Sequence, residues 1–197
     1  PVILKHRRLA LFHPAATCVA QISADIPVVF LQITVWSLII YFMVNLTTSA
    51  GAFFTYFIIL FMNNMCSIAM FRAIGAASGT FDSASKISGY TIAAMAMYTG
   101  YQISKTQMHP WLGWLYWLNP LAYGFEALMA NELHAKVVNC VGINLIPHGE
   151  GYTSVDHQAC AGVGGANPGV VTLTGDDYLG SLSYSHSHLW RNFGILC

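Results

Sequence analysis

Charge is what this sequence most lacks. Only 8% of its 197 residues are Asp, Glu, Lys or Arg, against about 25% in ordinary soluble domains. The formal net charge is zero, so the basic footprint of a nucleic-acid binder is missing. Chemistry-bearing motifs are scarce too. There is no Cys-x-x-Cys or His-Glu-x-x-His, and no Ser–His–Asp or paired-carboxylate arrangement stands out. No G-x-x-x-x-G-K-[ST] loop occurs that would cradle phosphates. The chain starts at Pro1 without an initiator Met and stops at Cys197, just inside a new apolar run. These ends lead us to expect an internal segment of a longer protein.

What fills the sequence is apolar: 55% of the residues are hydrophobic. Three stretches, 26–44, 53–74 and 87–103, read as membrane spans. The first is nineteen residues without a formal charge; as a helix it would measure about 29 Å, the thickness of the hydrocarbon core. A mildly amphipathic stretch, Ala15 to Asp25, precedes it, and Pro27 marks a helix start or a kink. Asn63 and Asn64 in the second stretch are candidates for bonds between helices. Then comes a collar of Trp111, Trp114, Tyr116, Trp117 and Tyr123, the signature of a membrane–water boundary. Asn119-Pro120 interrupts this collar, and Glu126 and Glu132 argue against a spanning helix. Residues 106–135 therefore read as short re-entrant or interfacial helices.

Residues 136–188 are polar, rich in Gly and Pro, and read as a loop domain with short strands near 170–174. Residues 189–197 read as the start of a further span. Lys5, Arg7 and Arg8 place the first end in the cytoplasm by the positive-inside rule, so residues 1–25 form a cytoplasmic segment and the loop domain falls outside. In that location Cys140 and Cys160 are the natural disulfide pair; the competing reading is two free thiols. A loop of that size contributes about 3 kcal/mol in the chain-entropy model. Asn45-Leu46-Thr47 forms a glycosylation sequon, but it lies too close to the membrane for use to be expected.

The motifs, in order, resemble those of fungal pleiotropic drug resistance transporters, in the ABCG subfamily of ABC transporters. The resemblance is carried by Lys5-His6-Arg7 with Ala10-Leu11-Phe12-His13-Pro14, by Met70-Phe71-Arg72, and by Tyr98-Thr99-Gly100-Tyr101. It is strongest in Trp117-Leu118-Asn119-Pro120-Leu121-Ala122-Tyr123-Gly124-Phe125-Glu126. Gly175-Asp176-Asp177-Tyr178-Leu179 and Trp190-Arg191-Asn192-Phe193-Gly194 complete it. The sequence departs from the family at Tyr101–Lys105, where Ser104 stands in place of a common Pro.

The resemblance implies an all-α membrane protein: a segment of an ABCG-type (type II exporter) transmembrane helix bundle, more like the first membrane domain of a full-length transporter than the second. It implies a plasma-membrane, multi-pass location, and partners in membrane lipid, the parent's nucleotide-binding domains, its second transmembrane domain and hydrophobic small molecules. ATP and Mg would be bound in those nucleotide-binding domains, with no cofactor or metal in this segment. Residues Arg7, Arg8, Leu11, Phe12 and His13 would form the coupling element; the competing reading is simple positive-inside anchoring.

In the third stretch Gly89, Ala93, Ala96 and Gly100 share one helical stripe, flanked by Tyr90, Met97, Tyr98 and Tyr101. Small residues allow close helix contact, while Met and aromatic side chains suit a promiscuous apolar site. The resemblance implies that this helix lines the substrate cavity; plain helix packing is the alternative. Glu126 is a candidate gate residue, or else a partner for backbone groups at the Asn119-Pro120 break. For the whole molecule, two readings compete with an ATP-driven exporter of hydrophobic drugs or lipids. One is a non-transporting scaffold or receptor whose cap is functional. The other is a metalloenzyme using the cap histidines, among which His186 and His188 alternate.

Overall fold

Ser49, Thr80, Asn119 and Thr174 each stand where a polar side chain can cap a helix, and each does so. Their side chains accept from the backbone N–H of Ala52, Ser83, Leu121 and Asp177 at 3.0–3.3 Å. The computed structural model describes residues 13–152, 154–161 and 167–197. It is mostly helical and divides into two units, 1–46 and 47–197.

The first unit contains α1, Pro14–Met43. His13 caps it by accepting from the Ala15 N–H at 3.3 Å, and Pro14 occupies a first-turn position, where its missing N–H costs nothing. The helix runs through Pro27, so the stretch Ala15 to Asp25 is continuous with the expected span. The expected coupling residues Arg7, Arg8, Leu11 and Phe12 lie outside the described residues.

The second unit opens with α2 (Ala50–Ala77) and α3 (Phe81–Met97). Two helices, over Ala15–Met43 and Ala50–Ala77, are long and apolar enough to cross a membrane. At 17 residues, α3 measures about 26 Å. It starts earlier than the apolar run suggested, because Thr80 caps it. It also stops earlier, at Met97, because Gly100 adopts φ +93°, a left-handed conformation that costs glycine little.

A short α4 (Gly113–Trp117) and a longer α5 (Pro120–Leu133) follow. Asn119-Pro120 divides them as cap and first helical residue. Helix α5 lies antiparallel to the first half of α2. Gly124 abuts Asn63, Ala127 packs on Ile59, and Asn131 Nδ2 donates to the Ala52 carbonyl at 3.1 Å. The Glu132 carboxylate completes the sequence by accepting from the Thr47 N–H at 3.0 Å and the Thr47 hydroxyl at 2.9 Å. The tip of the α4–α5 hairpin therefore dips alongside the middle of α2, a re-entrant arrangement.

The loop domain holds two small antiparallel ladders. Strand β1 (Val137–Asn139) pairs with β4 (Thr172–Thr174), and β2 (Leu145–Ile146) pairs with β3 (Ala159–Cys160). Cys140 and Cys160 are joined as a disulfide with Cα atoms 5.8 Å apart. With Leu145 they form a small core, on which Val171 and Leu173 pack. Two further helices close the chain: α6 (Gly175–Ser181) and α7 (Leu189–Leu196). The latter lies against α5 and α2, with Leu189 meeting Ile59 and Ala127.

Candidate functional site

Helix α3 presents two opposite faces. Gly89, Ala93 and Ala96 are exposed along one, and nothing lies within 4 Å of a Cβ built on Gly89. Tyr90 and Met97 flank that face, 78% and 53% exposed. Tyr98 lies on the opposite face with Thr91, Ala94 and Met95, a spacing of three, one and three that keeps all four together. Tyr101 falls beyond the helix and packs on Phe125 of α5, ring centroids 5.5 Å apart. Gly100, at the end of the stripe, is buried. A Cβ there would sit 2.8 Å from the Tyr184 hydroxyl and 3.0 Å from the Tyr116 ring.

The C-terminal end of α3 is held by side chains from elsewhere in the unit. Its last carbonyls have no partner within the helix and need one. Asn119 Nδ2 donates to the Met95 carbonyl at 2.7 Å and to the Tyr98 carbonyl at 3.2 Å. The Tyr184 hydroxyl donates to the Thr99 carbonyl at 3.1 Å. The other end of the Asn119 amide, Oδ1, caps α5. One side chain, only 2% exposed, thus closes one helix and opens the next. Lys105 sits 4.8 Å above the Tyr116 and Trp117 rings, a cation–π contact beside this junction.

Glu126, on α5, is 1% exposed. A carboxylate taken so far out of water needs partners. The Tyr116 hydroxyl donates to Oε2 at 3.3 Å, and His188 Nδ1 lies 2.9 Å from Oε1. Glu126 therefore joins α4, α5 and the start of α7 through side chains. Its partners are not the backbone at the Asn119-Pro120 break, which Asn119 itself satisfies. Burial pushes the Tyr184 phenol up, and the charge of Glu126 adds to the shift.

A second His–carboxylate contact ties α5 to the loop domain. His134 Nδ1 is 2.9 Å from Asp176 Oδ1, and the His134 ring stacks on His186 with centroids 3.9 Å apart. The hydrogen bond from His134 holds the Asp176 carboxyl below its ordinary value, with the His134 charge assisting. No group of three His, Cys, Asp or Glu side chains among the described residues is arranged to hold a metal ion. The cap histidines that can be placed are thus engaged with acids and with each other.

Sequence reasoning found Glu126 and the Gly100 motif but missed their partners. Tyr116 read as part of the aromatic collar, and His188 as a loop histidine. One readable signal was Asn-Pro, the cap-and-start pair of a helix; nothing local marked Tyr184 or His188.

Comparison with known proteins agrees with this architecture. Residues 1–133 match the family model "ABC-2 type transporter", and residues 146–197 match "CDR ABC transporter". The whole chain aligns at 58% identity with ABC multidrug transporter H of Aspergillus fumigatus and at 53% with the ABC-type transporter cns4 of Cordyceps militaris, covering 14% of each. It aligns at 40% with the brefeldin A resistance protein of Schizosaccharomyces pombe, covering 13% of that protein. The chain thus spans about a seventh of the relatives it matches. With a family model matched over residues 1–133 of 197, this chain belongs to the ABC-2 type membrane transporters and is similar throughout to fungal multidrug members.

Proposed function

We propose that the chain is part of the transmembrane domain of an ATP-driven exporter that moves hydrophobic compounds across the plasma membrane. The observation that carries this reading is the exposed face of α3. Gly89, Ala93 and Ala96 leave it open, with Tyr90 and Met97 beside it. Small residues make room for a bulky apolar ligand, and Met and Tyr can repack around ligands of differing shape. The names of the relatives, multidrug and brefeldin A resistance proteins, support the same substrate class.

In this reading α1, α2 and α3 all cross the bilayer. The first residues lie in the cytoplasm, and the disulfide-bearing loop domain lies outside. Residues Arg7, Arg8, Leu11, Phe12 and His13 would dock on a nucleotide-binding domain. ATP and Mg would be held there and in its counterpart, outside this chain. The rest of the cavity wall would come from a second transmembrane domain. Glu126 would act at the outer gate, because its contacts with Tyr116 and His188 must move if α4, α5 and α7 separate.

The test is substitution of Ala93 or Ala96 by Phe in the full-length transporter. The expected result is an altered resistance spectrum at normal surface expression. An unchanged spectrum at normal expression would remove cavity lining from the proposal. Topology is tested separately by adding impermeant thiol reagents to intact cells, with single cysteines introduced at Ser83 and at Ser154. Only the second should react.

A further inference from the structure

Beneath the tip of the α4–α5 hairpin, α2 and α3 leave a cavity of about 160 Å³. Its walls are Met70 of α2, Thr91, Ala94 and Met95 of α3, Leu115 of α4, and Leu118 just after it. Tyr98 and Asn119 complete the lining. The polar groups on this wall are already engaged. The Thr91 hydroxyl donates to the Ile87 carbonyl at 2.8 Å. The Asn119 amide uses its nitrogen on Met95 and Tyr98 and its oxygen on Leu121. None of the lining residues has a buried polar atom left without a partner.

Such a cavity offers little to water, which needs two to four polar partners to stay in a buried site. A dry apolar cavity of about 150 Å³ instead accepts one small apolar molecule the size of benzene. Met70 and Met95 stand on its wall from different helices, and their thioethers make favourable contacts with aromatic rings. The geometry points to a binding site for a single apolar ring, delivered from the bilayer, at the foot of the re-entrant hairpin.

This site is separate from the face assigned to transported compounds. Thr91, Ala94, Met95 and Tyr98 project about 180° around α3 from Gly89, Ala93 and Ala96, by the 100° step of a helix. The inference therefore stands whether or not that other face carries substrate. A ring bound here touches Asn119, the residue that ties α3 to α5, so occupancy bears directly on that junction.

The experiment uses the full-length transporter in phosphatidylcholine nanodiscs. The probe is 3-trifluoromethyl-3-phenyldiazirine, with adducts mapped by mass spectrometry. Labelling of Met70 and Met95 is expected to saturate with probe and to be lost in excess toluene. Labelling of exposed Phe54 on α2 should rise linearly and ignore toluene. Ala94→Phe fills the cavity and should abolish the Met70 and Met95 adducts, with Ala94→Leu as a milder version of the same test. Linear, toluene-insensitive labelling at Met70 and Met95 in the wild-type protein overturns the proposal. A second arm uses phosphatidylcholine carrying a diazirine at the end of one acyl chain. Strong labelling of the same two residues that toluene does not displace assigns the cavity to a lipid tail, and overturns it as well.

Discussion

At the scale of single residues, Glu126 is the position where chemistry and burial meet. Its carboxylate is 1% exposed and receives Tyr116 on one oxygen and His188 on the other. Truncation leaves both partners facing a hole. Glu126→Ala should therefore cost about 1–3 kcal/mol, the penalty for stranding buried polar groups. Glu126→Gln keeps an acceptor for Tyr116 and should cost less. Thermal melting of the purified full-length transporter should rank wild type above Gln above Ala. Asp176 makes a pH prediction. Its folded-state pKa is lowered, so it binds its proton less readily folded than unfolded. The stability it contributes is complete above the ordinary carboxylate value near 3.9, and is lost as pH falls through the lower folded value. Asp176→Asn should flatten the acid limb of a melting-temperature profile and leave the slope at neutral pH unchanged.

At the scale of elements, the junction at Asn119 separates two jobs that one amide performs. Asn119→Asp keeps the oxygen that caps α5 but removes the donors to Met95 and Tyr98. Asn119→Ala removes both. Loss of a cap costs about 0.5–2 kcal/mol, so Ala should melt below Asp by roughly that amount if the two jobs are independent. The contact between α5 and α6 is tighter still. A Cβ on Gly175 would lie 1.9 Å from the Leu133 carbonyl oxygen, and that obstacle is backbone. Gly175→Ala should lower surface expression severely, as read by surface labelling, while Gly180→Ala, with open space around it, should not.

Most helices were legible in the sequence. Apolar runs marked α1 and α2, and Asn119-Pro120 marked the break in the hairpin. Boundaries were less so, because caps such as Thr80 and the left-handed Gly100 decide them and carry no hydrophobic signal. The candidate site was half legible. The stripe of α3 follows from helical spacing, but the face on which Tyr98 falls depends on where the helix ends. The partners of Glu126 lie ten and sixty-two residues away, at separations no local pattern encodes.

At the scale of the whole molecule, the loop domain depends on one covalent link and two short ladders. Its small core of Cys140, Cys160 and Leu145 is too small to hold the fold by burial alone. Replacing both cysteines by Ser should cost the loop domain about 3 kcal/mol. It should make residues between β2 and β4 the first sites of proteolysis in the intact transporter, as mapped by peptide sequencing. The re-entrant hairpin also sets an order of assembly. Helix α5 is synthesised well before His188 and Leu189, which complete its buried face. While those residues are still in the ribosome, Glu126 has no histidine beside it, and a bare carboxylate is disfavoured at membrane depth. The hairpin must then wait at the aqueous surface and enter only when α7 arrives to receive it. A nascent chain arrested before Ser185 should leave residues 106–135 open to an added protease, and a chain extended past α7 should close them off. The last helix to be made is thus the one that licenses the insertion of an earlier one.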